Sequence, residues 1–176
     1  DEYIPNYFEM LATLNPVKPT GGFKSNAYII FDYQSDTDFK FAGINVSTSK
    51  LEIGHRTETE WVVDVQGVYP GSLKAGTNYN VFLALNGSNV TIVVDNKVSL
   101  SHTFDLRIDA FGIAHGLKDG MVGLGANNSK AMIDNVIVQR LRPPVTFTLT
   151  ETFDAASSGL FAPPVSGEWI ASGGIL

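Results

Sequence analysis

Between Tyr79 and Phe104 the chain alternates apolar and polar residues and reverses twice, at Asn86-Gly87 and at Asp95-Asn96. Alternation with a period of two is the pattern of a strand with one buried face, and Asn-Gly tolerates the positive φ that a tight reverse turn demands. Residues 79–85, 90–94 and 98–104 are therefore expected to form three consecutive antiparallel strands. Nothing helical competes with this reading. The best helical candidate, 104–117, contains Gly112 and Gly116, which weaken a helix interior, so it is expected to be a loop with an extra strand or a single turn.

The rest of the chain repeats the theme. Runs 7–14, 28–33, 39–46, 51–55 and 61–66 are rich in β-branched and aromatic residues, and 121–125 and 131–140 supply two more. Turn chemistry separates them: Pro16, Pro19, Gly21 and Gly22, then Ser35, Asp36 and Asp38, then Ser47, Thr48 and Ser49, then Pro70-Gly71. About a dozen short strands at intervals of roughly 8–12 residues specify an all-β, two-sheet antiparallel β-sandwich. In residues 131–140, Ile133, Asn135 and Ile137 alternate against Asp134, Val136 and Val138. With 176 residues, 44% of them hydrophobic, one sizeable core is affordable in a single domain. The net charge of −6 repels a polyanion, so nucleic acid is disfavoured as a partner and none is expected. The absence of cysteine removes disulfides and thiolate sites. No run reaches the roughly 18–20 apolar residues of a membrane span.

At 78–104 (NYNVFLALNGSNVTIVVDNKVSLSHTF), 120–125 (GMVGLG) and 132–138 (MIDNVIV) the chain resembles the concanavalin A-like lectin/glucanase superfamily, a jelly roll, nearest its laminin G-like bacterial modules. In that family an aromatic-led strand, a hairpin, a Gly-x-x-Gly strand and a closing Asp-Asn-Val strand recur in this order. The resemblance implies that Thr152-Phe153-Asp154 and Gly167-Glu168-Trp169, which look like a module's opening strands, come last here. Residues 1–141 are then the main body, 142–145 a Pro-rich linker, and 146–176 a segment resembling first strands. Two accounts fit: a tandem-repeat protein cut out of frame, or a circularly permuted domain. Either lets 146–176 complete this sandwich or a neighbour's, giving a strand-exchanged homo-oligomer.

The resemblance implies a non-catalytic, extracellular binding or adhesion module of a bacterial surface protein, with a carbohydrate or cell-surface glycan as partner. A ligand-free spacer repeat and a glycoside hydrolase are the alternatives. An enzyme of the glucanase branch needs two glutamates facing across a cleft, and no such strand is present. Glu58 and Glu60 lie at a turn and read as solvated; isolated Glu9 and Glu52 read as solvent-facing or paired with Lys or Arg across the sheet. The histidines, His55, His102 and His115, lack ligand spacing, although His115 sits in a Gly-flanked loop able to line a groove. A sugar site calls for an aromatic platform beside amides and carboxylates. Trp61 is the first choice of ring and Tyr69 another, with Asn127 and Asn128 as a polar rim. For a cation, the resemblance implies calcium held by Asp134 and Asn135 with Asp154, since a hard ion prefers carboxylate and amide oxygens. Such residues also simply cap turns. Asp32, Asp36 and Asp38 read as a solvated hairpin turn.

Overall fold

The computed structural model describes residues 7–17 and 21–139, and every regular element among them is a strand. In chain order these are β1 (Tyr7–Val17), β2 (Asn26–Ser35), β3 (Asp38–Asn45), β4 (Lys50–Arg56), β5 (Trp61–Val68), β6 (Tyr79–Asn86), β7 (Asn89–Val94), β8 (Val98–Thr103), β9 (Arg107–Ile108), β10 (Ala114–His115), β11 (Met121–Gly125) and β12 (Lys130–Gln139). They build two five-stranded sheets, β12-β1-β6-β7-β8 and β11-β2-β3-β4-β5, and a two-stranded hairpin, β9-β10. All pairings are antiparallel. The expected two-sheet sandwich is present. These strands lie in one compact unit, Asp1–Arg142; the expected linker 142–145 and strand-like segment 146–176 lie outside the described residues.

Alternation along the strands feeds one core between the sheets. Val81, Leu83 and Leu85 of β6 and Val90, Ile92 and Val94 of β7 face Ala27, Ile29 and Phe31 of β2 and Leu51 and Ile53 of β4, all buried. Enclosing an aliphatic side chain of this size stabilises the fold by about 1.5–3 kcal/mol. The turn at Asn86-Gly87 joins β6 to β7 as expected, with Gly87 at φ 62°. Pro16 was read as a break, yet β1 runs through it: β6 has already ended at the Leu14–Tyr79 pair, so Pro16 has a ladder partner only in Ala131 of β12. A residue without an N–H is tolerated where one side of the ladder is missing.

The closing strand departs from simple alternation. Leu11 pairs with Ile137 and Thr13 with Asp134, so two residues of β12, Asn135 and Val136, oppose the single Ala12. Asn135 adopts φ 51°, the left-handed conformation that G1-type β-bulges use and asparagine accepts. An extra residue moves the following side chains to the other face. Ile133 therefore packs against the core while Ile137 pairs with outward-facing, exposed Leu11, which corrects the expectation that Ile133 and Ile137 share a face.

The second sheet carries a further apolar layer on its outer face, where Tyr28, Ile30, Phe39 and Phe41 are buried against Tyr33 and Trp61. Glycines make room for it. A Cβ on Gly43 would lie 2.8 Å from the Tyr28 backbone and 3.0 Å from its ring, and one on Gly54 would lie 2.6 Å from the Phe41 ring. Trp61 closes over the rings with centroids 4.9 Å from Phe41, 5.1 Å from Phe39 and 5.6 Å from Tyr28.

Candidate functional site

Between β8 and β11 the chain leaves the sandwich and returns, and both points are anchored in the core by buried Phe104 and Leu117. The excursion folds on itself as β9-β10, with Arg107 opposite His115 and Ile108 opposite Ala114. Asp109 sets the turn: its Oδ1 accepts the N–H groups of Phe111 (2.8 Å) and Ile113 (2.9 Å), and Gly112 at φ 78° lets the chain reverse. The tip presents Phe111, 89% exposed, flanked by Ile108 at 64% and Ile113 at 57%.

A polar groove of about 650 Å³ lies along this hairpin, lined by Gln34, Asp38, Arg107, Ile108, Asp109, His115 and Asp119. Arg107 organises one side. Its Nη1 and Nη2 donate to the two Asp38 oxygens at 2.5 and 2.6 Å, a bidentate pair, and its Nε and Nη2 reach Asp32 Oδ2 at 3.3 and 3.2 Å. Asp32 is 1% exposed, takes φ 47° and also accepts from Lys40 Nζ. That ammonium lies 5.2 Å from the centroid of the Phe104 ring. The Arg107 guanidinium holds the Asp38 carboxyl below the usual carboxylate range, and Asp38 in turn raises Arg107. Asp32 and Asp38 are thus a buried and a bridged carboxylate, which corrects their reading as a solvated turn; only Asp36 of the three is exposed with no link to Arg107, accepting from Tyr33 OH at 2.5 Å.

His115 organises the other side. Its Nε2 lies 3.1 Å from Asp109 Oδ2 and its Nδ1 3.3 Å from Asp119 Oδ2. The hydrogen bond to Asp109 is the main cause that raises His115 and the main cause that lowers Asp109. Asp119 also accepts the Gly116 N–H at 3.0 Å, tying loop 116–119 to the same cluster. The groove therefore offers carboxylates, a guanidinium, an amide and an imidazole, all planar groups, most of them held in orientation by one another. Sequence reasoning noted His115 as able to line a groove, but not Arg107, Asp109, Asp119 or Phe111. The Asp-x-x-Gly spacing of Asp109 and Gly112 was the one local signal for the turn that displays Phe111.

The four residues expected to bind carbohydrate are not brought together. Trp61 is half-buried and packs over the outer aromatic layer, where it lines a separate apolar groove of about 330 Å³ with Ile30, Tyr33, Phe39 and residues 121–126. Tyr69 is 6% exposed; its ring packs edge-on to Tyr79 in the core and its hydroxyl donates to Asp95 Oδ2 at 2.7 Å, so it offers no platform. Asn127 and Asn128 form the β11–β12 turn, held by Asn26 through the Asn127 N–H at 2.8 Å and by Lys24 N–H to Asn128 O at 2.9 Å. That turn meets β2 at Asn26, whereas Asp38 pairs with Ser35 at the other end, roughly 30 Å away along an extended strand.

Asp134 and Asn135, expected to hold calcium, sit at the bulge, Asn135 as one of its two residues and Asp134 as the paired residue just before it. Asp134 Oδ1 accepts the Asn135 N–H at 2.7 Å, and Asn135 Nδ2 donates to Thr13 Oγ1 at 3.2 Å. Asp154 lies outside the described residues. Among the described residues no group of three or more His, Asp or Glu has the geometry to hold a metal ion. Glu52, read as solvent-facing or paired with a cation, is instead 3% exposed and accepts from Tyr28 OH (2.7 Å), Asn45 Nδ2 (3.0 Å) and Thr48 Oγ1 (3.2 Å). Burial and the Glu52 charge push the Tyr28 hydroxyl far above its ordinary range.

No family model matches the chain, and no curated protein matches it. Solved structures do. The carbohydrate-binding module CBM66 from Bacillus subtilis superposes with a TM-score of 0.62 at 13% identity, over 76% of this chain and 74% of that one. Sheep galectin-11 gives 0.56 at 9% identity, over 78% and 93%, and the galectin LEC-6 of Caenorhabditis elegans gives 0.51 at 11% identity, over 79% and 86%. The described residues share the two-sheet β-sandwich fold of these structures. In this fold the hairpin β9-β10 and its groove stand at the end of the sandwich marked by the β2–β3 turn, while the Trp61 groove lies on the outer face of the second sheet.

Proposed function

We propose that the chain is a non-catalytic carbohydrate-binding module that takes its ligand in the polar groove beside the β9-β10 hairpin. The observation that carries this reading is the pairing of fixed planar hydrogen-bonding groups with an aromatic ring left in solvent: Phe111 is 89% exposed and its N–H is bonded to Asp109, a lining residue. Sugar hydroxyls hydrogen-bond well to carboxylate, amide and guanidinium edges, and the C–H face of a pyranose packs on an aromatic ring. The fold adds support by analogy, since the similar solved structures are named as a carbohydrate-binding module and galectins. Work outside the cell, in a repeat-bearing bacterial surface protein, is the setting this reading extends to.

Screening the chain and its Phe111→Ala variant on a glycan array tests the assignment. Saturable retention of a glycan is expected, weakened about tenfold in the variant, as for a contact worth about 1.4 kcal/mol. The unfolding midpoint should not move, because the ring contributes almost no burial. Retention of no glycan, or equal retention by both proteins, refutes the reading.

A further inference from the structure

One imidazole ties together two segments of the groove wall. Asp109 belongs to the β9-β10 turn and Asp119 to the loop that leads into β11, and His115 stands between them with Nε2 3.1 Å from the first and Nδ1 3.3 Å from the second. An imidazolium has two N–H donors and can satisfy both carboxylates; a neutral imidazole has one, and turns a lone pair toward the other oxygen. The remaining charges near the ring are Arg107 on the paired strand, engaged by Asp32 and Asp38, and Lys118, whose Nζ is 3.8 Å from Asp119 Oδ1.

We propose that His115 is a pH-operated latch of the ligand groove: charged, it clips the hairpin turn to loop 116–119 and sets the wall that presents Phe111; neutral, it lets one of the two go. This rests on the reading of the groove as the glycan site. The direction follows from linkage. Asp109, ahead of Asp119, raises the folded pKa of His115, so the clip is fully present below the unfolded value of 6.5 and is lost as pH rises through the folded value. Losing the imidazolium also removes one of the two cations lining the groove, leaving Arg107 against Asp38, Asp109 and Asp119. On the acid side Asp109 is lowered, with His115 the first cause and the backbone donors of Ile113 and Phe111 behind it. The turn therefore keeps its acceptor until pH falls below the ordinary carboxylate range. Ligand affinity should be highest in the mildly acidic window between those limits.

The test uses the full chain, isotope-labelled, between about pH 5 and 9, which brackets the histidine range. The His115 ring nitrogens and the amide exchange of Ile113 and Gly116 are followed by NMR, beside affinity for the best glycan on the array. His115 is expected to titrate above 6.5. At its midpoint exchange at Ile113 or Gly116, whichever lies on the released segment, should accelerate several-fold beyond the intrinsic pH effect, and glycan affinity should fall several-fold. His115→Gln, which keeps one donor without titrating, should show neither step. If His115 titrates at or below 6.5, or if the steps persist in His115→Gln, the latch is overturned. Glycan binding that ignores pH defeats the latch but leaves the binding assignment standing. The exchange step without any glycan bound at any pH keeps the latch and defeats the assignment.

Discussion

Lys40→Met probes the buried ion pair to which the groove residue Arg107 is bonded. Lys40 is 8% and Asp32 1% exposed, and the two are in direct contact. Removing one partner of a buried pair costs about 3–5 kcal/mol, because the other charge is stranded out of water. Here the loss is cushioned: the Nε and Nη2 of Arg107 stay 3.3 and 3.2 Å from the same Asp32 oxygen, which brings the expected cost down to about 2–3 kcal/mol. Methionine matches the lysine stem in volume, so no cavity term is added. For a domain with a total stability of about 5–15 kcal/mol this is a large fraction, and at about 2–4 °C per kcal/mol it lowers the melting temperature by about 4–12 °C. Urea unfolding followed by near-UV circular dichroism reads it directly. The same experiment on Asp32→Asn combined with Lys40→Met should recover about 1–2 kcal/mol, since the stranded charge is gone and asparagine keeps the φ of 47° that Asp32 adopts. A single variant within about 0.5 kcal/mol of the parent, the usual range for surface changes, or a double variant as unstable as the sum of its singles, would refute the argument that this pair is buried and coupled.

Two further substitutions examine the outer aromatic layer. Glu52→Ala removes the acceptor of Tyr28, Asn45 and Thr48. At about 1–3 kcal/mol per buried group left unsatisfied, it should cost about 3 kcal/mol in urea titrations. Gly54→Ala would place a Cβ 2.0 Å from the Val62 carbonyl oxygen and 2.6 Å from the Phe41 ring. Backbone must move, so a loss of about 1–3 kcal/mol is expected, with a changed near-UV spectrum as the Phe41–Trp61 contact opens; an unchanged spectrum would mean the rings do not depend on that glycine.

Strands were legible because their signal is local. The alternation of 79–104 and the Asn-Gly turn place β6, β7 and β8 within a residue of their observed ends, since each residue's face follows from its neighbours two positions away. The same logic failed at β12, where one left-handed asparagine reverses the parity of everything after it, and such a conformation leaves little trace in an apolar-polar pattern. Trp61 was singled out as a ring beside polar neighbours, but whether it stands in solvent depended on Gly43 and Gly54 letting Tyr28 and Phe41 lie beneath it.

The groove lay furthest from view. Asp32 and Arg107 are 75 residues apart, Asp38 and Arg107 69 apart, and no spacing rule links them. Three aspartates around a turn look solvated until a distant arginine and a lysine are folded onto two of them. The amino-acid sequence by itself determined that this chain forms an all-β sandwich with one core, because burying alternate apolar residues on paired strands is a short-range requirement repeated along the chain. Only the tertiary structure decided which carboxylates are buried, which ring is left in solvent and where the groove opens, because desolvation and ion pairing depend on what the rest of the chain brings within a few ångströms.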